Sequence, residues 1–367
     1  MTCIMGWSIT IGRIAGTAIR LHFTFLLFLA WIGIADYLAA GPSAAAVSVI
    51  FILLVFLCVT AHEFGHIFMG RRFGVNTPEV ILSPIGGIAN MERIPEAPAQ
   101  ELLIAIAGPL VNAVIAVVLM IGFGIGAREL TAFNFDTGSL IARLVLVNVT
   151  LVLFNLIPAF PMDGGRVLRA LLAMNMGFPR ATQLAARIGQ GFAFIFVLLG
   201  LFYSPILMLV GVFIYFAAAT EQQSAAFSGF ASKLRVADAM EHSPVTLSQG
   251  EPLSQAVDSL LSTPQRDFPV IDDGYRVIGI LDREAMLAGL RDHGLGIAVG
   301  QVMRTSQFLA HDLPLAEAYA RMRAQGAKAE VVADAAGRIL GVLTLENIAE
   351  MMMVESAKPG WRFQRRR

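Results

Sequence analysis

The chain has 367 residues, 56% of them hydrophobic and 15% charged, with a mean hydropathy of +0.68. That is too apolar for a water-soluble enzyme of this length and points to a membrane protein. The 27 basic and 27 acidic residues cancel, so the charge balance gives no reason to expect nucleic acid as a partner, and two cysteines, Cys3 and Cys58, exclude a disulfide framework or a four-thiolate metal site.

From the N-terminus, MTCIMGWSITIGRIAGTAIR lacks a continuous apolar core and a small-residue cleavage site, so it does not read as a secretory signal and the N-terminus is expected in the cytoplasm. Apolar stretches follow at 22–40, 43–69, 100–126, 139–157, 187–203 and 205–222, giving about six transmembrane helices. The last two, separated only by Ser204-Pro205, also read as one hairpin of short, tilted segments. Arg13 and Arg20 precede the first stretch, Arg71, Arg72 and Arg93 follow the second, and Arg166, Arg169, Arg180 and Arg187 follow the fourth. The loops on the other side hold only Arg128 and Arg143, so both termini are expected on the cytoplasmic side of a plasma membrane. His22, at the mouth of the first stretch, reads as a helix-end or interfacial histidine rather than a metal ligand.

The second apolar stretch ends in FLCVTAHEFGHIFMGRRFG, which sets HEFGH inside a helix. His62 and His66 lie one turn apart on one face and can share a tetrahedral zinc ion. Glu63, beside the first of them, is placed to take a proton from the attacking water and hand it to a leaving amine. Three ionisable groups within five residues of an apolar helix are costly in lipid without such a purpose. A third protein ligand is needed. Asp163, in LFNLIPAFPMDGGR, is the candidate: Pro158 and Pro161 interrupt the helix and Gly164-Gly165 permits a sharp turn. From spacing alone Asp163 reads equally well as the N-cap of the following helix.

HExxH in the second stretch and NxxPxxPxDGG after the fourth resemble the two signature motifs of the site-2 protease family, the intramembrane zinc metalloproteases. The likeness extends to LHFTFLL at the first stretch, GGIANME at 86–92 and GPLVN at 108–112. The resemblance implies zinc on His62, His66 and Asp163, Glu63 as the catalytic base, and Asn155 as the motif asparagine. Asn112 and Asn155 then stand as amides to hold the substrate backbone or an oxyanion, or as interhelical hydrogen-bonding groups. PEVILSPIGGIANMER reads as short strands or a loop at the membrane face, and an exposed edge there would take up an unwound substrate segment as an added strand; the resemblance implies the same.

After residue 224 charged and apolar segments alternate around DDG, DLP and DAAG turns, and a repeat emerges. RVADAME at 235–241 returns as VGQVMR at 299–304, and GYRVIGILDREAML at 274–287 returns as GRILGVLTLENIAE at 337–350. The layout resembles a tandem pair of cystathionine-β-synthase (CBS) domains, a soluble α/β module, which implies dimerisation and adenine-nucleotide binding. The nucleotide motif GxxTxxD departs at Asp282 and Ala285 in the first copy; in the second, Thr344 fits and Asn347 replaces the aspartate. With an amide where a ribose-holding carboxylate is expected, dimerisation or gating leads over nucleotide binding, for which Asp282, Thr344 and Asn347 are the candidates.

The expected organisation is a transmembrane metalloprotease domain at 1–223, CBS domains at 224–291 and 292–355, and a basic tail at 356–367 that touches anionic lipid or is simply solvated. The function read is a zinc endopeptidase cutting single-span membrane proteins within the bilayer, with one zinc ion per chain and a homodimer formed through the CBS domains. The alternative is a CBS-regulated transporter or channel, which would be expected to show related halves with matching broken helices.

Overall fold

The computed structural model describes residues 7–84, 86–90, 97–126, 139–305, 308–358 and Trp361. The expectations set on Cys3, on Met91 to Arg93, on Arg128 and on the tail beyond Trp361 lie outside the described residues. The chain divides into two compact units, Met1–Ala225 and Ala226–Arg367.

The first unit opens with a hairpin of β1 (Ser8–Ile14) and β2 (Thr17–His22). Its two-residue turn, Ala15-Gly16, has both residues at positive φ, 48° and 84°, the geometry that matches the twist of paired strands. β2 runs directly into α1 (Phe23–Ala40), and His22 caps it, Nδ1 accepting from the Thr24 amide at 3.3 Å. His22 is therefore the helix-end histidine expected. Gly41, at φ 87°, and Pro42 then split the apolar sequence, and α2 (Pro42–Arg72) begins. It is followed by β3 (Glu79–Ser83), β4 (Gly86–Asn90), α3 (Pro98–Phe123), α4 (Leu140–Asn155), α5 (Asp163–Met176), α6 (Phe178–Tyr203) and α7 (Pro205–Ala231).

Five of these helices, α1, α2, α3, α6 and α7, are long and apolar enough to cross a membrane. α4 has 16 residues and at ~1.5 Å per residue rises about 24 Å, less than a hydrocarbon core of ~30 Å. α6 and α7 are separate helices of 26 and 27 residues, not a hairpin of short segments. α6 also starts at Phe178 rather than near 187, because Ala181, Ala185, Ala186 and Gly189 bury a small-residue face along its more polar first half.

The four strands form one sheet in the order β1-β2-β3-β4, with β2 and β3 parallel and the outer pairs antiparallel. Ile19, Val80 and Leu82 seat the sheet on Phe64 and Ile67 of α2, so the helix that carries HEFGH also carries the sheet. α3 packs against α2, α4 and α5, and its buried Ala105, Ala107, Gly108 and Ala116 allow the close approach that small residues give membrane helices.

Arg169 of α5 is 2% exposed. Its Nη2 lies 2.5 Å from Glu101 Oε1 of α3, its Nη1 pairs with Glu221 of α7, and its guanidinium covers the Phe160 and Phe178 rings at 5.0 and 4.8 Å. A guanidinium so enclosed clamps three helices and does not serve as a loop charge. The positive-inside reading is left to its neighbours.

In the second unit the two repeats supply α8 (Val236–Ala239), β5 (Glu241–His242), β6 (Leu247–Ser248), α9 (Leu253–Ser262), β7 (Phe268–Ile271), β8 (Val277–Leu281) and α10 (Arg283–His293), then α11 (Val299–Val302), β9 (Leu309–Ala310), α12 (Leu315–Gln325), β10 (Ala329–Ala333), β11 (Ile339–Thr344) and α13 (Leu345–Ala357). They form two sheets, β6-β7-β8 and β5-β11-β10-β9. The opening segments are exchanged: β5 of the first repeat pairs with β11 of the second, and Arg304 of the second bridges to Ile280 of the first. Ile271, Val277 and Ile280 meet Ala329, Val331 and Val342 in a shared core.

Candidate active site

HEFGH places His62 and His66 on the inner face of α2, 7% and 3% exposed, and Asp163, 7% exposed, reaches them from the first turn of α5. The Nε2 atoms of the two histidines are 3.1 Å apart, and Asp163 Oδ2 lies 3.2 Å from one and 3.3 Å from the other. Met162, not Asp163, is the N-cap of α5, and it makes no side-chain cap bond. The carboxylate is therefore directed to the histidines, and the capping alternative falls. The following glycines form no sharp turn: a Cβ on Gly164 would lie 2.3 Å from the Ile157 carbonyl oxygen, so they let α5 start hard against the Pro158–Pro161 segment.

Proton placement on the two rings follows from their partners. His66 Nδ1 is 2.7 Å from the Ile104 carbonyl oxygen, and His62 Nδ1 is 2.5 Å from Asn112 Oδ1. Both oxygens only accept, so each Nδ1 carries hydrogen, and in the neutral ring each Nε2 presents a lone pair. Two such lone pairs and a carboxylate oxygen brought together repel one another unless a proton or a metal cation lies among them. A tetrahedral zinc ion with bonds of about 2.0–2.1 Å sets its ligand atoms ~3.3–3.4 Å apart, close to the separations here. The donor set fits zinc with one position left open.

Glu63 is half-buried beside His62. β4 approaches it closely: a Cβ on Gly87 would lie 2.8 Å from Glu63 Cγ, so the backbone of the end strand of the sheet passes beside this side chain. Gly108, not singled out from the sequence, is the second close approach. A Cβ there would lie 2.2 Å from His66 Nε2 and 2.8 Å from His62 Nε2, among the atoms that would hold the metal. Its signal was the Gly108-Pro109 pair inside an otherwise regular helix.

Asn112, fully buried, has its amide engaged at both ends, Oδ1 on His62 and Nδ2 donating to Asn148 Oδ1 at 2.8 Å. Of the two readings open from sequence, this is the interhelical one. Asn155 ends α4, half-buried, ahead of the proline turn. Asn148, also missed, is a lone amide in the apolar run LVLVNVTLVLF.

The C-terminal candidates hold helix ends. Asp282 caps α10, accepting from the Ala285 amide at 2.8 Å, and its Oδ2 lies 3.8 Å from Arg304. Thr344 caps α13, accepting from the Asn347 amide at 3.0 Å while its hydroxyl donates to Asn347 Oδ1. Nearby, burial pushes the Asp267 carboxyl up to about 6, with Asp282 and Glu346 adding to the shift.

Comparison with known proteins follows the same division. The family model for peptidase family M50 matches residues 50–139 and 125–199, and that for CBS domains matches 236–292 and 299–354. A zinc metalloprotease of Methanocaldococcus jannaschii is 37% identical over 292 residues, 79% of this chain and 83% of that protein. The Rip3 protein of Mycobacterium tuberculosis is 26% identical over 95% of this chain and 93% of its own length. Among solved structures, a site-2 protease from M. jannaschii is 42% identical, covering 59% of this chain and 95% of that one with a TM-score of 0.44.

Proposed function

Because the chain belongs to peptidase family M50, the site-2 proteases, and is a multi-pass zinc metalloprotease carrying a pair of CBS domains, we propose that it hydrolyses peptide bonds within the membrane-spanning segments of single-span proteins. His62, His66 and Asp163 are the residues that would hold the zinc ion. Such an ion supplies Lewis acidity, lowering the pKa of water and polarising a carbonyl. The observation that carries the reading is the meeting of the two Nε2 atoms with Asp163 Oδ2, with Glu63 next to His62 in sequence.

Glu63 takes the proton of the attacking water and delivers it to the leaving amine. The substrate segment unwinds and pairs with β4, the end strand of the sheet, which passes Glu63; the close approach of Gly87 to that side chain supports this path. Asn155 is the amide proposed to steady the substrate backbone, and Asn112 acts on His62 instead. Both termini are cytoplasmic on this reading, which Arg71 and Arg72 at the end of α2 support. The CBS pair serves dimerisation or gating rather than nucleotide binding, since Asp282, Thr344 and Asn347 are already engaged in helix caps.

The test is cleavage of a panel of single-span substrates by detergent-purified protein, wild type against Glu63→Ala, with zinc measured on both. Zinc in both and cleavage by wild type alone is the expected result. Wild-type protein without stoichiometric zinc would end the reading.

A further inference from the structure

The two zinc-facing histidines are held by different means. His66 donates from Nδ1 to the Ile104 carbonyl, a backbone group fixed by its helix. His62 donates to a side-chain amide, Asn112 Oδ1, and an amide is nearly symmetric in shape. Turned by half a rotation it would present NH₂ to His62, and the ring would have to move its proton to Nε2 and cease to be a ligand. Something must hold Asn112 in one orientation.

The geometry points to Asn148 as that positioning residue, acting through Asn112 to fix which nitrogen of His62 faces the metal; the inference rests on the zinc-protease reading above. Asn148 is fully buried. Its Nδ2 donates to the Leu144 carbonyl, one turn back on α4, at 2.8 Å, and more weakly to Cys58 Sγ at 3.4 Å. Because the Leu144 oxygen cannot donate, the NH₂ of Asn148 must face it, and Asn148 Oδ1 must face Asn112. That oxygen receives Asn112 Nδ2 at 2.8 Å, which leaves Asn112 Oδ1 for His62. The direction of each bond is set by the one before it, beginning at a backbone carbonyl that cannot turn. Outer partners of this kind orient metal-bound histidines and change affinity when removed.

The experiment is zinc affinity of the full-length protein in detergent, by competition with a chromophoric chelator, with thermal melts of the zinc-free forms as a folding reference. Asn148→Leu removes the lock at similar volume, and zinc affinity should fall about 10- to 100-fold. Asn112→Asp offers an acceptor whichever way it turns, so the double variant Asn112→Asp, Asn148→Leu should bind zinc within a few-fold of Asn112→Asp alone. If Asn148→Leu does not fold, Asn148→Ala, which likewise removes the acceptor for Asn112 Nδ2, should show the same weakening. Wild-type affinity in either single variant at position 148 overturns the proposal. So does a double variant as weak as Asn148→Leu, because the loss would then be one of packing. Wild type without zinc removes both this inference and the protease reading, whereas wild type with zinc and an unaffected Asn148→Leu removes this one alone.

Discussion

The His62, His66 and Asp163 cluster of the first unit and the repeat motifs of the C-terminal unit are equally visible as residue patterns, yet their side chains stand in opposite conditions. At the cluster, His62 and His66 are satisfied on one ring nitrogen by Asn112 and Ile104, and the other nitrogen of each faces Asp163. In the repeats, Asp282 and Thr344 meet the amides of Ala285 and Asn347 within their own helices. A ligand coming to the first site completes its bonding; one coming to the second must displace bonds already made. The lesson is that a motif residue carries function to the extent that its bonding capacity remains open.

The comparison breaks most severely at Gly108. Gly108→Ala puts a methyl group where a Cβ would be 2.2 Å from His66 Nε2; zinc content by metal analysis should fall to background, with cleavage lost. Stoichiometric zinc in that variant would mean that the ion does not sit between the histidines. Next in size is Arg169→Met, which leaves the buried Glu101 carboxylate unpaired. A loss of about 3–5 kcal/mol is expected, measured by denaturant titration in detergent, and a loss below ~1 kcal/mol would mean that Arg169 is not the clamp.

The C-terminal side of the comparison is sharpened by smaller effects. Thr344→Ala and Asp282→Ala should each lower stability by about 1 kcal/mol through loss of a cap, with no change in the effect of added AMP on the melt. A melt that AMP raises in wild type but not in these variants would return them to a nucleotide site.

The smallest effect concerns pH. Asp267 has its folded pKa raised to about 6 against an unfolded value near ~3.9. The folded state therefore holds this proton more tightly, and stability falls as pH rises through that window, then levels above it. Asp267→Asn should be more stable than wild type at neutral pH and should flatten the melting temperature between about pH 4 and 6. An unaltered pH dependence would rule out Asp267 as its source.

Much of the site was legible because HEFGH and PMDGG are local signals, the first with its geometry imposed by a helix. Asp163 stayed ambiguous in spacing, since an N-cap and a ligand look alike until α5 is seen to be capped by Met162. The sequence marked Gly108 and Asn148 only faintly, by a Gly-Pro pair and a lone amide in apolar runs. Their importance lies in contacts between α2, α3 and α4, and a residue one helix away leaves no periodic trace on its partner. Arg169 misled as a loop cation, because nothing local announces Glu101, 68 residues before it. The repeats were plain, but not the exchange of their opening strands, which pairing along the chain cannot foretell.

That exchange sets a timetable for synthesis. His242 finds its place only against Gly341, so about a hundred residues must leave the ribosome before the first repeat's opening strand can pair; at ~5–20 residues per second that is a wait on the order of 5–20 s. A ribosome stalled between the copies would hold out a strand with no sheet to join, and a chain cut there would leave β5 without its partner.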